Sequence, residues 1–510
     1  MVKLADIQIL RGSGLFDEDW YRARYQDVEI LGMCAIEHYL WVGARLKRDP
    51  SPKFSTTRYL ECNPDVEIAG SNPLVHYIRW GRFEGRQAFP VEPKASDTSV
   101  IPLARKRSER PSRDAIVYES HNLKLQGAPN SLFEIASGIM RRGNFEPVLM
   151  APRGGPLQQS YAASDIECVF HGIPSEFLLN ADRRNSFLQT LSKHYKDANA
   201  KLVHVNTLPN YHCVLAAAMA GIPVIWNVRE SEDPDSYYDK LPPDLRRLAY
   251  SAFAKASTVV FVAEATRQKW VDKLSGVVES VTIHNGIDLG RLMRHVYATN
   301  RPTVRSSLGL REDDIVLLNV GTVNKRKGQQ DIVDAVQILD DHIKRRLVIA
   351  MVGFSPTQYS DYIKQRLEAL SKEGVRIIAL DETTSEEERR RVAELYLASD
   401  IFVLTSRIES YPRVILEAMG FGLAIISTPC FGVKEQLVNG ISGLFYEEEQ
   451  IADLSGKIRL LCDDREKRIQ LGFAARAQLS RLNSYDQMLD AYERVYKSVL
   501  RKNSIQVKSA

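Results

Sequence analysis

From Asp114 onward, short apolar runs rich in β-branched residues alternate with segments whose apolar positions recur at helical spacing. The runs fall into two series: AIVYES, PVLMAP, KLVHVN, PVIWNV, TVVFVA and SVTIHN, then DIVLLNVG, LVIAMVG, VRIIAL, DIFVLTS, LAIIST and GLFY. Strands that alternate with helices predict parallel, doubly wound sheets. We therefore predict two α/β domains, residues 114–288 and 289–483, with a hinge near HNGIDLGRL.

A further helix is predicted after the second series. Between Ser484 and Arg501, six apolar residues stand at helical spacing, which indicates a helix with one buried face. We assign residues 484–510 to a helix that packs back on the first α/β domain, followed by a tail.

The first 90 residues contain an internal repeat with a period of 38 residues. The pairs in register are Phe16 and Phe54, Tyr21 and Tyr59, Asp27-Val28 and Asp65-Val66, His38-Tyr39 and His76-Tyr77, and Gly43 and Gly81. This period predicts a helical two-unit repeat over residues 1–90, each unit being a helix, a turn and a second helix that ends near a glycine. Packing of one unit against its copy is the simpler interpretation of these aromatic and histidine positions, and a docking module is the alternative.

Residues 91–113 are predicted to form a linker. They are polar and contain prolines and the basic run RKRSERPSR, with cations at Arg105, Lys106, Arg107 and Arg110. A solvated linker explains these charges, and contact with acidic lipid or a partner is the alternative.

Composition narrows the class of protein. The 510 residues are 44% hydrophobic and 26% charged, which argues against extensive disorder. The net charge of +4 is too small over this length to indicate a nucleic-acid partner, although it permits contact with an anionic membrane surface. Six scattered cysteines, no bilayer-length apolar run and no secretory signal predict a cytoplasmic protein, with peripheral association at the inner membrane or with assembly proteins left open.

Two loops in the second series carry candidate chemistry, because ligands collect at the carboxyl ends of parallel strands. The loop GTVNKRKG, Gly321 to Gly328, has three consecutive cations suited to a phosphate. The loop and helix RIESYPRVILEAMG, Arg407 to Gly420, places Pro412 in the first helical turn, with Glu409 before it and Glu417 about one turn inside. A helix N-terminus flanked by two carboxylates can hold phosphates and accept hydrogen bonds from sugar hydroxyls.

These segments resemble retaining glycosyltransferases of family 4. The stretch ASDIFVLTSRIESYPRVILEAMGFGLAIIST carries two glutamates separated by seven residues, which is the signature of that family. NVGTVNKRKGQ is similar to its first donor-phosphate loop, IHNGIDLGRL to its interdomain hinge, and SHNLKLQGAPNSLFEIASGIM to its acceptor-side loop. The resemblance implies a GT-B fold of two Rossmann-like domains with a cleft between them. The 38-residue repeats resemble modules that precede the transferase domain in some bacterial polysaccharide enzymes.

The resemblance also implies roles for individual residues of the donor site. Lys327, with Arg326 beside it, would stabilise the departing nucleotide diphosphate, with Gly321 and Thr322 opening that loop. Glu409 would contact the transferred sugar and Glu417 would bind the nucleotide ribose. The backbone of Ser410, Tyr411, Pro412 and Arg413 would help to hold phosphate.

On the acceptor side, Gly127 and Ala128 would approach donor and acceptor, and the segment with Asn227, Arg229 and Glu230 would line the cleft. Two positions depart from the family pattern. Relatives commonly have an arginine where this chain has Thr322, so Arg326 is a candidate to replace its charge. Many relatives place a histidine near Asn227, and an amide can form hydrogen bonds but cannot do acid/base work.

The expected activity is transfer of a sugar from a nucleotide-sugar donor to a glycan or lipid-linked acceptor in bacterial cell-surface polysaccharide synthesis. The resemblance implies retention of configuration without a general base. No metal or other cofactor is expected: Asp233-Pro234-Asp235 matches a metal-binding Asp-x-Asp pattern of another fold class, but the cationic loop already supplies charge for the phosphates. The alternatives are a sugar-nucleotide epimerase on a similar fold and a non-catalytic scaffold.

Overall fold

The structure is a computed structural model that describes residues 4–25, 28, 33–63, 66, 71–84, 86–88, 113–173, 181–239, 241–383 and 385–509. The chain forms two compact units. One contains the N-terminal helices and Leu289–Arg311, and the other contains the described residues of Val100–Asp288 and Glu312–Ala510. The predicted basic linker lies almost entirely outside the described residues.

Two parallel sheets form the second unit. The strands are β1 (Ala115–Glu119), β2 (Glu146–Ala151), β3 (Glu167–Phe170), β4 (Ala200–Asn206), β5 (Val224–Val228), β6 (Thr258–Phe261), β7 (Ser280–Thr282), β8 (Ile315–Val320), β9 (Leu347–Phe354), β10 (Arg376–Asp381), β11 (Ile401–Leu404), β12 (Ala424–Ser427) and β13 (Leu444–Phe445). Within the described residues, the first sheet has the order β3-β2-β1-β4-β5-β6-β7 and the second the order β10-β9-β8-β11-β12-β13.

The helices of the described residues alternate with these strands or precede them. They are α1 (Leu4–Gly12), α2 (Glu18–Arg24), α3 (Ala35–His38), α4 (Thr56–Cys62), α5 (Pro73–His76), α6 (Gly127–Arg142), α7 (Leu157–Ala163), α8 (Ala181–Asp197), α9 (Tyr211–Ala220), α10 (Pro234–Tyr237), α11 (Pro243–Ser251), α12 (Glu264–Leu274), α13 (Leu289–Arg294), α14 (Arg301–Ser307), α15 (Gln329–Gln337), α16 (Asp341–Lys344), α17 (Gln358–Lys372), α18 (Glu386–Ala398), α19 (Arg413–Phe421), α20 (Val433–Gln436), α21 (Ile451–Asp463), α22 (Arg465–Leu479) and α23 (Tyr485–Ser509). Short 3₁₀ turns cover Leu208–Asn210, Phe253–Lys255 and Lys325–Lys327, and π-helical turns at Tyr39–Gly43 and Tyr77–Gly81 extend α3 and α5.

The predicted fold class is confirmed: two doubly wound, Rossmann-like domains follow a small helical module. Apolar residues alternate between the two faces of the first sheet, so that Val117 joins one core cluster whereas Ile116 and Tyr118 join the other. The second core is built around β8, β9 and β11, with Leu317, Ile349 and Val403 fully buried. β3 is a strand that the apolar pattern did not predict, because its four residues at the sheet edge are exposed or half-buried.

The last helix belongs to the core of the first sheet. Met488, Leu489, Tyr492 and Tyr496 of α23 are fully buried in the same cluster as β1 and α6. Successive turns of the helix therefore cover one face of a sheet whose strand β1 lies about 370 residues earlier in the chain. No helix in the described part of the chain is long and apolar enough to span a bilayer.

In the N-terminal unit, the repeat contacts a segment from the middle of the chain. Tyr297 donates a hydrogen bond to the buried carboxylate of Asp49, and Arg24 donates to the carbonyl oxygen of Tyr297. Burial raises the pKa of Asp49 to about 7, against the opposing effect of a backbone hydrogen bond from Thr56. In the structure, Leu289–Arg311 groups with the N-terminal helices.

Candidate active site

The cationic loop after β8 is fixed by contacts with the loop after β11. Gly328 has φ +63°, and a Cβ atom at this position would lie 2.3 Å from the carbonyl oxygen of Thr405. The Thr405 hydroxyl donates to the carbonyl oxygen of Lys327 at 2.8 Å, and Arg326 donates to the carbonyl oxygen of Ile408 at 2.7 Å. Glycine is therefore required where the two loops approach each other.

Glu409 lies against the cations of this loop. Lys327 Nζ donates to Glu409 Oε1, and Arg326 Nη1 is 4.0 Å from the same oxygen. Burial alone would raise the pKa of Glu409, but Lys327 and Arg326 outweigh it and hold the pKa below its usual value. The structure thus brings these three residues together as an ionised cluster.

The helix α19 begins directly after this loop. Pro412 is its N-cap residue, with φ −65° and ψ 123°, so the helix starts at Arg413 and not at Pro412. A Cβ atom on Gly432 would lie 1.8 Å from the carbonyl oxygen of Ser410, and Gln436 Nε2 donates to the carbonyl oxygen of Pro412 at 3.0 Å. The loop after β12 therefore supports the backbone from Ser410 to Pro412 from one side.

Glu417 lies one helical turn inside α19 and is partly buried. It accepts a hydrogen bond from Tyr396 Oη at 3.0 Å, and the Tyr396 ring stacks on Phe421 at 5.3 Å. Burial raises the pKa of Glu417, although Arg413 and Tyr396 act in the opposite direction. The carboxylate has one oriented partner and remains part-exposed.

Gly321 and Thr322 open the cationic loop on the side away from Glu409. Gly321 adopts φ +151°. A Cβ atom on Gly353, at the end of β9, would lie only 2.3 Å from the carbonyl oxygen of Gly321. The Thr322 hydroxyl donates to Glu382 Oε1 at 2.7 Å. Thr322 is therefore paired with an acid.

The residues that were predicted for the acceptor side lie near the carboxyl ends of β4 and β5. Asn206 Nδ2 donates to the carbonyl oxygen of Ala128 at 3.2 Å, and Arg229 Nε donates to Asn206 Oδ1 at 2.6 Å. Gly127, the first residue of α6, has open space around it. Glu230 accepts backbone hydrogen bonds from Leu208 and Arg229 at 3.1 Å and 3.0 Å, and burial raises its pKa to about 7.

Asn227 was expected to line the cleft, but the structure buries it. Its side chain is fully buried, and its amide donates to Tyr492 Oη of the last helix. Asn227 therefore ties α23 to the sheet and presents no surface to a ligand in this structure, unlike Arg229 two residues later.

Contacts between the two α/β domains surround this site. Arg413 Nη2 donates to Glu134 Oε1 of α6 at 2.6 Å, and Arg389 Nη2 donates to Asn130 Oδ1 at 2.9 Å. Ser410 Oγ donates to the carbonyl oxygen of Arg229. The loop after β11 and the start of α19 thus contact α6 and the loop after β5.

Sequence reasoning did not find several residues of this arrangement. Arg407 forms a bidentate ion pair with Asp331 at 2.6 Å and 2.7 Å, which holds the loop that contains Glu409 against α15. Glu134, Arg389 and Tyr396 contact the site from α6 and α18. They stand in helices among other charged residues, so only their position in space distinguishes them.

The Asp-x-Asp segment has a local role. Asp233 Oδ1 accepts a hydrogen bond from the backbone of Ser236 at 3.3 Å, at the start of α10. Over the described residues, no three His, Cys, Asp or Glu side chains are grouped as metal ligands. The metal independence of the site stays a prediction.

The site can be compared with known proteins. The family model for Glycosyltransferase Family 4 matches residues 125–291, and that for Glycosyl transferases group 1 matches residues 300–478. N-acetyl-alpha-D-glucosaminyl L-malate synthase of Bacillus anthracis is 25% identical over 51% of this chain and 64% of its own length. The N,N'-diacetylbacillosaminyl-diphospho-undecaprenol alpha-1,3-N-acetylgalactosaminyltransferase of Campylobacter jejuni is 38% identical over 22% of this chain and 30% of its own length.

Among solved structures, HepE of Anabaena in complex with UDP-glucose superposes with a TM-score of 0.61 and 19% identity, over 75% of this chain and 99% of that one. At that identity the likeness shows the fold alone. The chain spans less than two thirds of the length of the two curated relatives. Residues 125–291 and 300–478 are therefore glycosyltransferase domains of the family 4 and group 1 types, arranged in the GT-B fold.

Proposed function

We propose that the protein is a retaining glycosyltransferase that moves a sugar from a nucleotide-sugar donor to a glycan or lipid-linked acceptor in bacterial cell-surface polysaccharide synthesis. The observation that carries this proposal is the Glu409–Lys327–Arg326 cluster beside the N-terminus of α19. It combines cations, free helix amides and a carboxylate within one loop pair, as departure of a nucleotide diphosphate requires.

The reaction needs a stabilised leaving group more than a strong protein base. Lys327 and Arg326 neutralise charge that develops on the diphosphate, together with the amides at the start of α19. Glu417, part-exposed and oriented by Tyr396, is suited to accept hydrogen bonds from ribose hydroxyls. The acceptor attacks from the face that the leaving group vacates, which retains the configuration, and no side chain is assigned as general base.

The substrate classes rest on the relatives. HepE was solved with UDP-glucose, which supports a nucleotide sugar as donor. The Campylobacter relative is named for an undecaprenol diphosphate acceptor, which supports a lipid-linked acceptor.

Sugar transfer and slow hydrolysis of candidate nucleotide sugars test the proposal. We expect Lys327→Ala and Glu417→Ala each to lower kcat/KM by about 100-fold or more, since each removes a charge aimed at the donor. Lys457→Ala is the matched control, because Lys457 is a surface cation paired with Asp453 on α21. Activity should persist in EDTA. Full activity in both site variants would show that the site assignment is wrong.

A thermal-shift screen of nucleoside diphosphates and nucleotide sugars separates the enzyme from the scaffold alternative. A ligand that binds only the folded state raises the Tm by mass action. We expect one nucleotide series to raise the Tm of the wild-type protein and to lose that effect in Lys327→Ala. No response to any nucleotide would favour a non-catalytic scaffold.

A further inference from the structure

Two arginines, one from each α/β domain, face each other across the cleft. Arg229 follows β5 and donates from Nε to Asn206 Oδ1 at 2.6 Å and from Nη1 to Asn285 Oδ1 at 3.0 Å. Arg413 opens α19 and donates from Nη2 to Glu134 Oε1 at 2.6 Å. They are close enough that Arg413 lowers the pKa of Arg229, in addition to the larger effect of burial.

Each guanidinium keeps one buried nitrogen without a hydrogen-bond partner among the described residues. These atoms are Nη2 of Arg229 and Nη1 of Arg413. Buried polar groups are almost always paired, and an unpaired nitrogen on a cation is especially costly. Two such nitrogens on neighbouring arginines indicate a ligand with several acceptor oxygens.

The Arg229 guanidinium has no carboxylate in direct contact with it among the described residues. It donates to two neutral amide oxygens, and the nearby carboxylates of Glu230 and Glu134 act on it without forming an ion pair. Arg413 differs, because Glu134 forms an ion pair with it and Glu417 also lies close. Arg229 is therefore a partly buried cation without an ion-pair partner, and such a charge is stabilised by a ligand of opposite sign.

The position of the pair indicates which substrate carries the anion. Asn206 joins Arg229 to Ala128 at the start of α6, on the acceptor side, whereas Ser410 joins the Arg229 backbone to the loop of Glu409. The donor diphosphate has its own cations, Lys327 and Arg326, bound to Glu409. Arg229 and Arg413 thus stand between the acceptor loop and the reacting centre.

We propose that Arg229 and Arg413 together bind a phosphate or carboxylate group of the acceptor, so that this enzyme selects an acceptor that is anionic near the hydroxyl that is glycosylated. The inference rests on the proposed function and narrows its acceptor class. Guanidinium groups suit such oxyanions because they form paired, charge-assisted hydrogen bonds. Glu134 competes with the acceptor for Arg413 and is displaced when the anion binds.

Calorimetric titration of the full chain tests this subsite. The protein is first saturated with UDP to fill the diphosphate site, and then titrated with glycerol 3-phosphate, with geranyl diphosphate, or with neutral glycerol. We expect both anions to bind and glycerol not to bind. Arg229→Gln should weaken anion binding about tenfold, the effect of one lost charge-assisted contact. Lys457→Gln, a surface change, should bind the anions as the wild type does.

The variant Glu134→Gln distinguishes anion binding by Arg413 from a merely structural role of its ion pair with Glu134. Removing the competing carboxylate should tighten anion binding, whereas loss of a merely structural ion pair would weaken it. Tighter binding of geranyl diphosphate than of glycerol 3-phosphate would assign the anion to a lipid diphosphate, and the reverse to a free sugar phosphate or acid. Anion binding that is equal in the wild type and Arg229→Gln, or no better than glycerol, would overturn the inference. Failure of UDP itself to bind would instead contradict the proposed donor site.

Discussion

Single residues explain why the N-terminal repeat keeps its register. Tyr21 Oη lies 3.2 Å from His38 Nδ1 in the first unit, and Tyr59 Oη lies 3.0 Å from His76 Nδ1 in the second. A Cβ atom on Gly43 would lie 2.0 Å from the Tyr21 hydroxyl, and one on Gly81 2.2 Å from that of Tyr59. The repeated Tyr, His and Gly positions thus form one packing unit twice, in which only glycine leaves room for the hydroxyl.

The first prediction concerns Gly43→Ala. The added methyl group would collide with Tyr21 and break its contact with His38, so we expect a loss of about 1–3 kcal/mol in the stability of this unit. Gly12→Ala is the control, because nothing lies within 4 Å of its Cβ position at the end of α1. Hydrogen exchange of peptides spanning α2 and α3 measures the effect. Equal protection in the two variants would contradict this account.

At the scale of elements, the site depends on two loops that hold each other. The 3₁₀ turn Lys325–Lys327 is capped by Asn324, whose side chain accepts from the Lys327 backbone at 3.1 Å. Its other end is Gly328, packed on the carbonyl oxygen of Thr405. The spacing of GTVNKRKG in the sequence predicted a cationic loop, but the partner of that loop lies about 80 residues away and is set by the β8–β11 pairing.

This arrangement predicts a difference between two glycines of the same backbone conformation. Gly328→Ala and Gly440→Ala both place a methyl group at positive φ, but Gly328 meets Thr405 whereas Gly440 has open space. Left-handed strain costs each about 1–2 kcal/mol. We expect only Gly328→Ala to lower transferase activity, because it displaces Lys327 from Glu409. Steady-state kinetics of the two variants, each assayed at the same interval below its own unfolding midpoint, separate backbone strain from displacement of Lys327. An equal loss of activity in both variants would refute the role of the contact between Gly328 and Thr405.

At the scale of the whole molecule, the end of the chain completes the first α/β domain. Tyr496 Oη lies 2.8 Å from His204 Nδ1 on β4, and Tyr118 Oη donates to Tyr496 Oη at 3.3 Å. Arg142 of α6 pairs with Asp490 at 2.6 Å. One face of the first sheet is therefore covered by the last helix.

The buried histidine at this junction predicts a dependence on pH. Burial, together with the charge of Arg229, lowers the pKa of His204 to about 3, whereas a histidine in the unfolded chain titrates near its ordinary value of about 6.5. The unfolded state therefore binds more protons between these values, so stability falls as pH drops below about 6.5, by about 1.4 kcal/mol per pH unit from this group.

His204→Asn should remove this contribution, since Asn keeps an acceptor for Tyr496 but does not titrate. We expect the loss of unfolding free energy between pH 7 and pH 5 to be about 2 kcal/mol smaller in the variant than in the wild type, by denaturant titration. His342→Asn, at an exposed position on α16, is the control and should change with pH as the wild type does. If stability fell by the same amount between pH 7 and pH 5 in His204→Asn and in the wild type, the result would contradict the burial of a neutral imidazole at His204.

The sequence by itself determined the two α/β domains, the helical repeat and the two loops that we propose bind the donor. These features follow from local periodicity and from residue types at strand ends, which act over a few residues. The edge strand β3 was missed for the same reason, since its partly exposed residues lack the apolar run of a central strand.

Only the tertiary structure decided which distant side chains meet. Hydrogen bonds of Tyr297 join Leu289–Arg311 to the N-terminal helices. Packing of the two α/β domains brought Arg229 near Arg413, and packing of the last helix buried Asn227 against Tyr492. Such contacts join residues that are 184 to 265 positions apart in the sequence, as with Arg229 and Arg413 or Asn227 and Tyr492. They depend on how sheets and helices pack, a property of the whole molecule that no local pattern records.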